Sequence, residues 1–91
     1  MKKQYLYILS DGTYYKVGIS NDYNKRFRNI QTGNAKKVLP LWIFKCEDAG
    51  YLEKIIHKAF FDKKIQGEWL TFSFEELKYL RGWLMKKAIK L

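Results

Sequence analysis

The sequence predicts an α+β fold: a small antiparallel or mixed β-sheet, made of a β-hairpin plus one or two further strands, flanked by about three helices in the order β-β-α-β-α-β-α. Three observations carry this. Two β-rich runs flank an Asp-Gly turn. Three later stretches repeat apolar residues at helical spacing, each behind a capping residue. The chain has 91 residues with one proline and six glycines, the size of one domain (1–91) and the composition of a folded one.

The hairpin comes first. "QYLYILS" (4–10) and "YYKVGIS" (14–20) are separated by Asp11-Gly12, a dipeptide suited to the positive φ angles of a two-residue turn. That turn pairs Ser10 with Thr13 and so sets Tyr7 opposite Lys16. Side chains alternate across the sheet. Leu6, Ile8, Tyr15, Val17 and Ile19 then form the core face. Tyr5, Tyr7, Tyr14 and Lys16 share the face away from the core, with Gly18 leaving a gap.

Ser20-Asn21-Asp22 caps a helix, "DYNKRFRNIQ", whose Tyr23, Phe27 and Ile30 form a core stripe. Lys25, Arg26 and Arg28 lie off the stripe, and Gly33-Asn34 ends the helix. Residues 37–47 read as a third strand with Pro40 near its start or on an edge. Asp48 caps a second helix, about 49–63, with Leu52, Ile55, Ile56, Ala59 and Phe60 apolar and Glu53 and His57 one turn apart. "GEWLTF" (67–72) is a short closing strand. Ser73 to Glu76 form a capping box for a last, basic helix over 74–91, with Phe74, Leu77, Leu80, Leu84 and Leu91 as its core stripe.

The net charge is +9. Self-repulsion of that size on a small domain points to an anionic partner, phosphate backbones first and anionic membranes second. The single cysteine, Cys46, fits a reducing compartment and reads as filler at a strand end. The N-terminal apolar run is too short for a signal segment and no run is long enough to span a membrane. A cytoplasmic protein with no membrane partner is expected.

No Cys/His metal cluster, phosphate-binding glycine loop or Ser-His-Asp set can be assembled. The chemistry-bearing residues are scattered: Tyr7, Lys16, Arg26, Glu53 and His57. Each has an ordinary structural explanation, as a half-buried sheet tyrosine, a solvated lysine, a helix-surface arginine or an i, i+4 pair. In the last helix Tyr79, Trp83, Lys86 and Lys90 recur at helical spacing. Interleaved aromatics and lysines suit nucleic acid, but a helix packed on two sides with solvated lysines at its end is the more ordinary explanation. Lys36 and Lys37 extend the basic surface.

Taken in order, "YLY" (5–7), "YKVGIS", "KRFRNIQTGN", "YLEKIIHKAF" and "GEWL" resemble the GIY-YIG nuclease superfamily over roughly residues 4–72. The likeness is greatest to a phage-type DNA-binding branch with K-[IV]-G, E-x-x-x-H and G-E-W motifs. The resemblance implies a metal-dependent endonuclease cleaving DNA. It makes Tyr7 the tyrosine of the first motif and Gly18 the glycine of the second. Lys16 stands where the second motif usually has its tyrosine. Arg26 is the phosphate clamp, and Glu53 is the ligand of one Mg²⁺ or Mn²⁺. Tyr5 replaces the first motif's glycine. The hairpin register adds that a cation opposite Tyr7 lowers its pKa from about 10 and prepares it as a base. His57 could shuttle a proton or contact phosphate. The alternative is a DNA-binding module of the same fold without turnover. Lys25, Arg26, Arg28, Lys36, Lys37, Trp83, Lys86 and Lys90 are the expected nucleic-acid contacts. The chain leaves no room for a separate recognition domain. Selectivity is therefore expected from the last helix, a homodimer or a partner protein.

Overall fold

A computed structural model describes residues 3–91. Among them lie three α-helices and one antiparallel sheet of six strands. In chain order these are β1 (Tyr5–Ser10), β2 (Tyr15–Ser20), α1 (Tyr23–Thr32), β3 (Leu39–Lys45), α2 (Ala49–Ala59), β4 (Lys64–Gln66), β5 (Trp69–Leu70), α3 (Phe74–Lys87) and β6 (Ile89–Lys90), with a 3₁₀ turn at Phe61–Lys63. The spatial order is β4-β5-β2-β1-β3-β6. The expected architecture is therefore present, with β4 and β6 added at the two edges. β4 directly follows the stretch expected to be the second helix, whose α-helical part stops at Ala59 and whose end is the 3₁₀ turn. β6 replaces the last residues expected in α3.

The hairpin pairs differently from a two-residue turn. Tyr7 faces Gly18, Leu9 faces Lys16 and Ser10 faces Tyr15. The cause is Asp11, whose Oδ1 accepts from both Thr13 N (2.9 Å) and Tyr14 N (2.7 Å). A side chain holding two backbone donors closes a four-residue loop, in which Gly12 takes φ +97°. Lys16 is thus not opposite Tyr7. A slip of two residues leaves every side chain on its original face, so the expected core face stands.

The second face is not solvated. Leu6, Ile8, Val17 and Phe44 join Leu52, Ile56, Leu80 and Leu84 beneath α2 and α3. On the opposite face Tyr7, Leu9 and Ile30 form another buried cluster, joined by Phe27, Val38, Ile43 and Trp69. The sheet is covered on both sides, and α1 supplies the second cover through its Phe27 and Ile30. Tyr5 packs against Tyr23 of α1, ring centroids 5.1 Å apart.

The caps follow the sequence. Asp22 accepts from Lys25 N, Asp48 from Tyr51 N, and Ser73 and Glu76 complete a capping box. Some apolar residues miss the core. Phe74 and Leu91 are exposed, as are Ile55 and Ala59. Phe74 sits at the first turn of α3, on the rim of an open cavity with Trp42 and Arg81, and Leu91 follows β6. Pro40 pairs with Leu9 beside a register shift in β1–β3. β6 reaches only Phe44 and Lys45, so no neighbouring strand calls for the N–H that Pro40 lacks.

Candidate functional site

The scattered residues converge, and the residue joining them is one sequence reasoning left without a role: Glu68. Gly67 (φ +57°) turns the chain between β4 and β5. Glu68 follows, its backbone carbonyl accepting from Val17 N at 3.3 Å. Its carboxylate lies 3.4 Å from Lys16 Nζ. It also stands beside Glu53 of α2, and its charge is felt at Tyr7 and Arg26. The "GEW" motif was the signal available for it, but composition alone gave this glutamate nothing to do.

Lys16 is held on two sides. Its partner across the strands is Trp69, and its ammonium sits 5.3 Å from the centroid of that indole as well as beside Glu68. It is therefore a partner of the Glu68 carboxylate.

Tyr7 is fully buried and accepts a hydrogen bond from Arg26 Nε at 3.3 Å. Burial raises its pKa above 10, outweighing the lowering effect of Arg26, and the negative charges of Glu68 and Glu53 raise it further. The expected lowering by Lys16 is overturned, since the hairpin register moves Lys16 away from Tyr7. The ring of Tyr7 fills the space above Gly18, where an added Cβ would stand 2.6 Å from Tyr7 Cζ. The gap expected at Gly18 is real and is occupied by the phenol.

Glu53 carries a clear electrostatic anomaly. Burial, then the charge of Glu68 and a hydrogen bond donated to Glu68 by the protonated form, push its pKa up to about 7, while Lys64 opposes them. Glu53 Oε2 is buried without a hydrogen-bond donor, and Glu68 Oε1 is buried with only the ion pair to Lys16. Two carboxylates brought together in this way favour sharing a proton, and Lys16 and Lys64 bring positive charge beside them. His57 does not pair with Glu53. Its Nε2 lies 2.9 Å from the Val17 carbonyl oxygen. A carbonyl only accepts, so Nε2 carries hydrogen and Nδ1 of the neutral ring is an acceptor. That Nδ1 is buried and has no partner. Glu53, His57 and Glu68 line one cleft of about 510 Å³.

The basic residues divide. Lys25 and Arg26 line a shallow depression of about 220 Å³ with Lys3 and Asn29, close to the Tyr7–Arg26 contact. Lys36 donates to Thr13 Oγ1 at the hairpin loop (3.4 Å). Arg28 and Lys37 are exposed. Trp83 is half-buried against the core, with Lys87 Nζ 5.9 Å from its ring. Lys86 shares an open cavity with Tyr79 and Trp83. Lys90 lies on β6 and so leaves the helical stripe in which it was expected. No helix among the described residues is long and apolar enough to cross a membrane.

Against known proteins, the family model of the T5orf172 domain matches residues 4–85. It represents a phage-type family of nuclease-like, DNA-binding domains. This corrects the motif resemblance. T5orf172 is a different family from the GIY-YIG nucleases, so the residue roles borrowed from those enzymes must stand on the geometry of this chain. No curated protein and no solved structure matches.

Proposed function

The chain belongs to the T5orf172 domain family, and on that premise we propose that it is a DNA-binding domain that hydrolyses phosphodiester bonds with the help of one divalent metal ion. The observation that carries this reading is the meeting of Glu53 and Glu68 beside Lys16, with the buried Glu53 Oε2 lacking a donor.

The residues fit such an ion. Hard cations take carboxylate oxygens, and Mg²⁺ or Mn²⁺ accepts a site of few protein ligands because it keeps several waters. Among the described residues no group of three or more His, Cys, Asp or Glu could hold a metal ion, so the side chains that would meet the ion are the pair Glu53 and Glu68. When bound, the ion supplies charge neutralisation at the phosphodiester and a more acidic water.

The chain's own groups do the rest. Arg26 offers a planar guanidinium to phosphate oxygens while Tyr7 Oη fixes its Nε. Tyr7 remains a neutral phenol and orients Arg26. Lys16 balances Glu68 and holds it toward Glu53. His57, anchored through Nε2, presents Nδ1 as the acceptor for a proton leaving water. The net charge of +9 draws the polyanion in.

A second reading, binding without turnover, is favoured by one observation: Tyr7 is fully buried with a raised pKa, so the expected phenolate base is missing. Supercoiled-plasmid nicking in Mg²⁺ and Mn²⁺ separates the two. The hydrolytic reading expects nicked circles from the wild type and none from Glu53→Ala or Arg26→Ala. Plasmid left intact by wild type across metals and pH, with DNA binding retained, establishes the binding-only reading.

A further inference from the structure

The cleft that holds Glu53 and Glu68 has a second set of residues on its rim. After α2 ends, the chain makes the 3₁₀ turn Phe61–Lys63, and two consecutive phenylalanines part company. Phe60 turns inward, its ring 5.0 Å from that of Phe72. Phe61 turns outward, 71% exposed, onto the same cleft. Lys54 and Lys58, one helical turn apart on α2, line it too, as does Lys64 of β4. Lys64 Nζ lies 5.7 Å from the Phe61 centroid, over one face of the ring, which leaves the other face to a ligand.

Exposed apolar side chains are ordinary on a small domain; what singles out Phe61 is its place on this cleft among three lysines. Flat aromatics beside lysines match the two halves of a nucleotide: the base stacks on the ring and the phosphate meets the ammonium groups. A duplex keeps its base faces inside its own stack, so only an unpaired nucleotide can use Phe61. A cleft of about 510 Å³ lies within the range of small-molecule sites and accommodates one.

We propose that this cleft binds an unpaired nucleotide of a DNA strand, stacked on Phe61 with its flanking phosphates on Lys54, Lys58 and Lys64. The preferred substrate is then DNA with a single-stranded stretch, a splayed end or a flap. The proposal rests on the DNA-directed reading above and names the substrate class of the same site.

The test uses the full chain in EDTA, so that binding is read without cleavage. Fluorescence anisotropy compares a labelled single-stranded oligonucleotide with a hairpin duplex of the same sequence. Phe61→Ala is expected to weaken single-strand binding by roughly tenfold and duplex binding by less than about twofold, and Phe61→Trp to keep the wild-type preference. Phe74→Ala, which removes an exposed phenylalanine at the start of α3, is expected to change neither. A Phe61→Ala variant that loses both equally, or loses nothing, overturns the stacking site while leaving DNA binding in place. Wild type that binds duplex but not single strands overturns it as well. Wild type that binds neither removes the DNA-directed reading itself, and the stacking site with it.

Discussion

Tyr7 and Gly18 face each other across the hairpin, and the phenol of one occupies the volume that a side chain on the other would need. Gly18→Ala would place a methyl group inside that ring. Overpacking of a filled core costs about 1–3 kcal/mol, so the variant is expected to melt several degrees lower. Because Tyr7 Oη also holds Arg26, DNA binding should weaken at the same time. A double-mutant cycle with Tyr7→Leu checks the cause. With the phenol removed, Gly18→Ala should cost markedly less, and an undiminished cost would place the clash elsewhere.

The Tyr7–Arg26 contact makes a separate prediction about alkaline pH. The folded pKa of Tyr7 is raised by burial. The neutral phenol is therefore the form the fold prefers. That stabilisation is fully present below the unfolded value near 10 and is lost as pH rises through the folded value. Tyr7→Phe should lose about 1 kcal/mol at neutral pH with the hydrogen bond, yet decline less steeply than wild type above pH 10. Denaturant unfolding at pH 7 and at pH 10.5–11.5 measures both. Parallel curves for the two proteins would contradict the assignment.

These two residues also show how far the sequence could be read. Alternation alone assigned Leu6, Ile8, Tyr15, Val17 and Ile19 to the core face, and a pairing slip of two residues did not disturb that. The register itself was not legible, because Asp11 could either sit in a tight turn or bind Thr13 and Tyr14 with its side chain, and only the folded loop decides between them. Lys16 was therefore matched to the wrong partner. Burial of the Tyr7 face was missed for a different reason. Tyrosines and a lysine on one face look solvated until α1 is known to cover them. Glu68 lay in a quoted motif but acquires meaning only when a turn at Gly67 folds it back onto β2 and α2. The helix N-caps, being local, were legible, whereas the ends of α2 at Ala59 and α3 at Lys87 were not.

Glu53 predicts an inverse pH dependence. Its folded pKa is raised from 4.5 to about 7, chiefly by burial and then by Glu68. The stability this group contributes is present below about pH 4.5 and falls as pH rises toward 7 and beyond. At pH 8 the protein carries the full cost of two facing carboxylates, about 1–2 kcal/mol after allowance for solvent screening. Glu53→Gln should recover that amount at pH 8 and almost nothing at pH 4. Millimolar Mg²⁺ or Mn²⁺ should raise the melting temperature of wild type at pH 8 and leave Glu53→Gln unchanged. Thermal scans at the two pH values, with and without metal, decide it. A variant less stable than wild type at pH 8 would show that the carboxylate is already neutralised by other groups.

Lys16 remains the cation whose purpose the primary structure left open, and its position between Glu68 and Trp69 gives a specific expectation. Removing the ammonium leaves Glu68 facing Glu53 with one positive charge fewer. Lys16→Met should therefore destabilise the protein at pH 8 by about 1 kcal/mol, a modest figure because Glu68 is partly exposed. Glu68→Gln removes the repulsion at its source, so the double variant Lys16→Met/Glu68→Gln should regain most of the loss. DNA affinity should change less than about threefold, with the dependence on salt unaltered. A lysine that gripped phosphate would behave otherwise. Its loss would weaken binding to all sequences alike and reduce the log–log salt slope by about one. Titrations of DNA binding across salt concentrations, run beside the melting curves, distinguish a lysine that orders the carboxylates from one that meets the backbone.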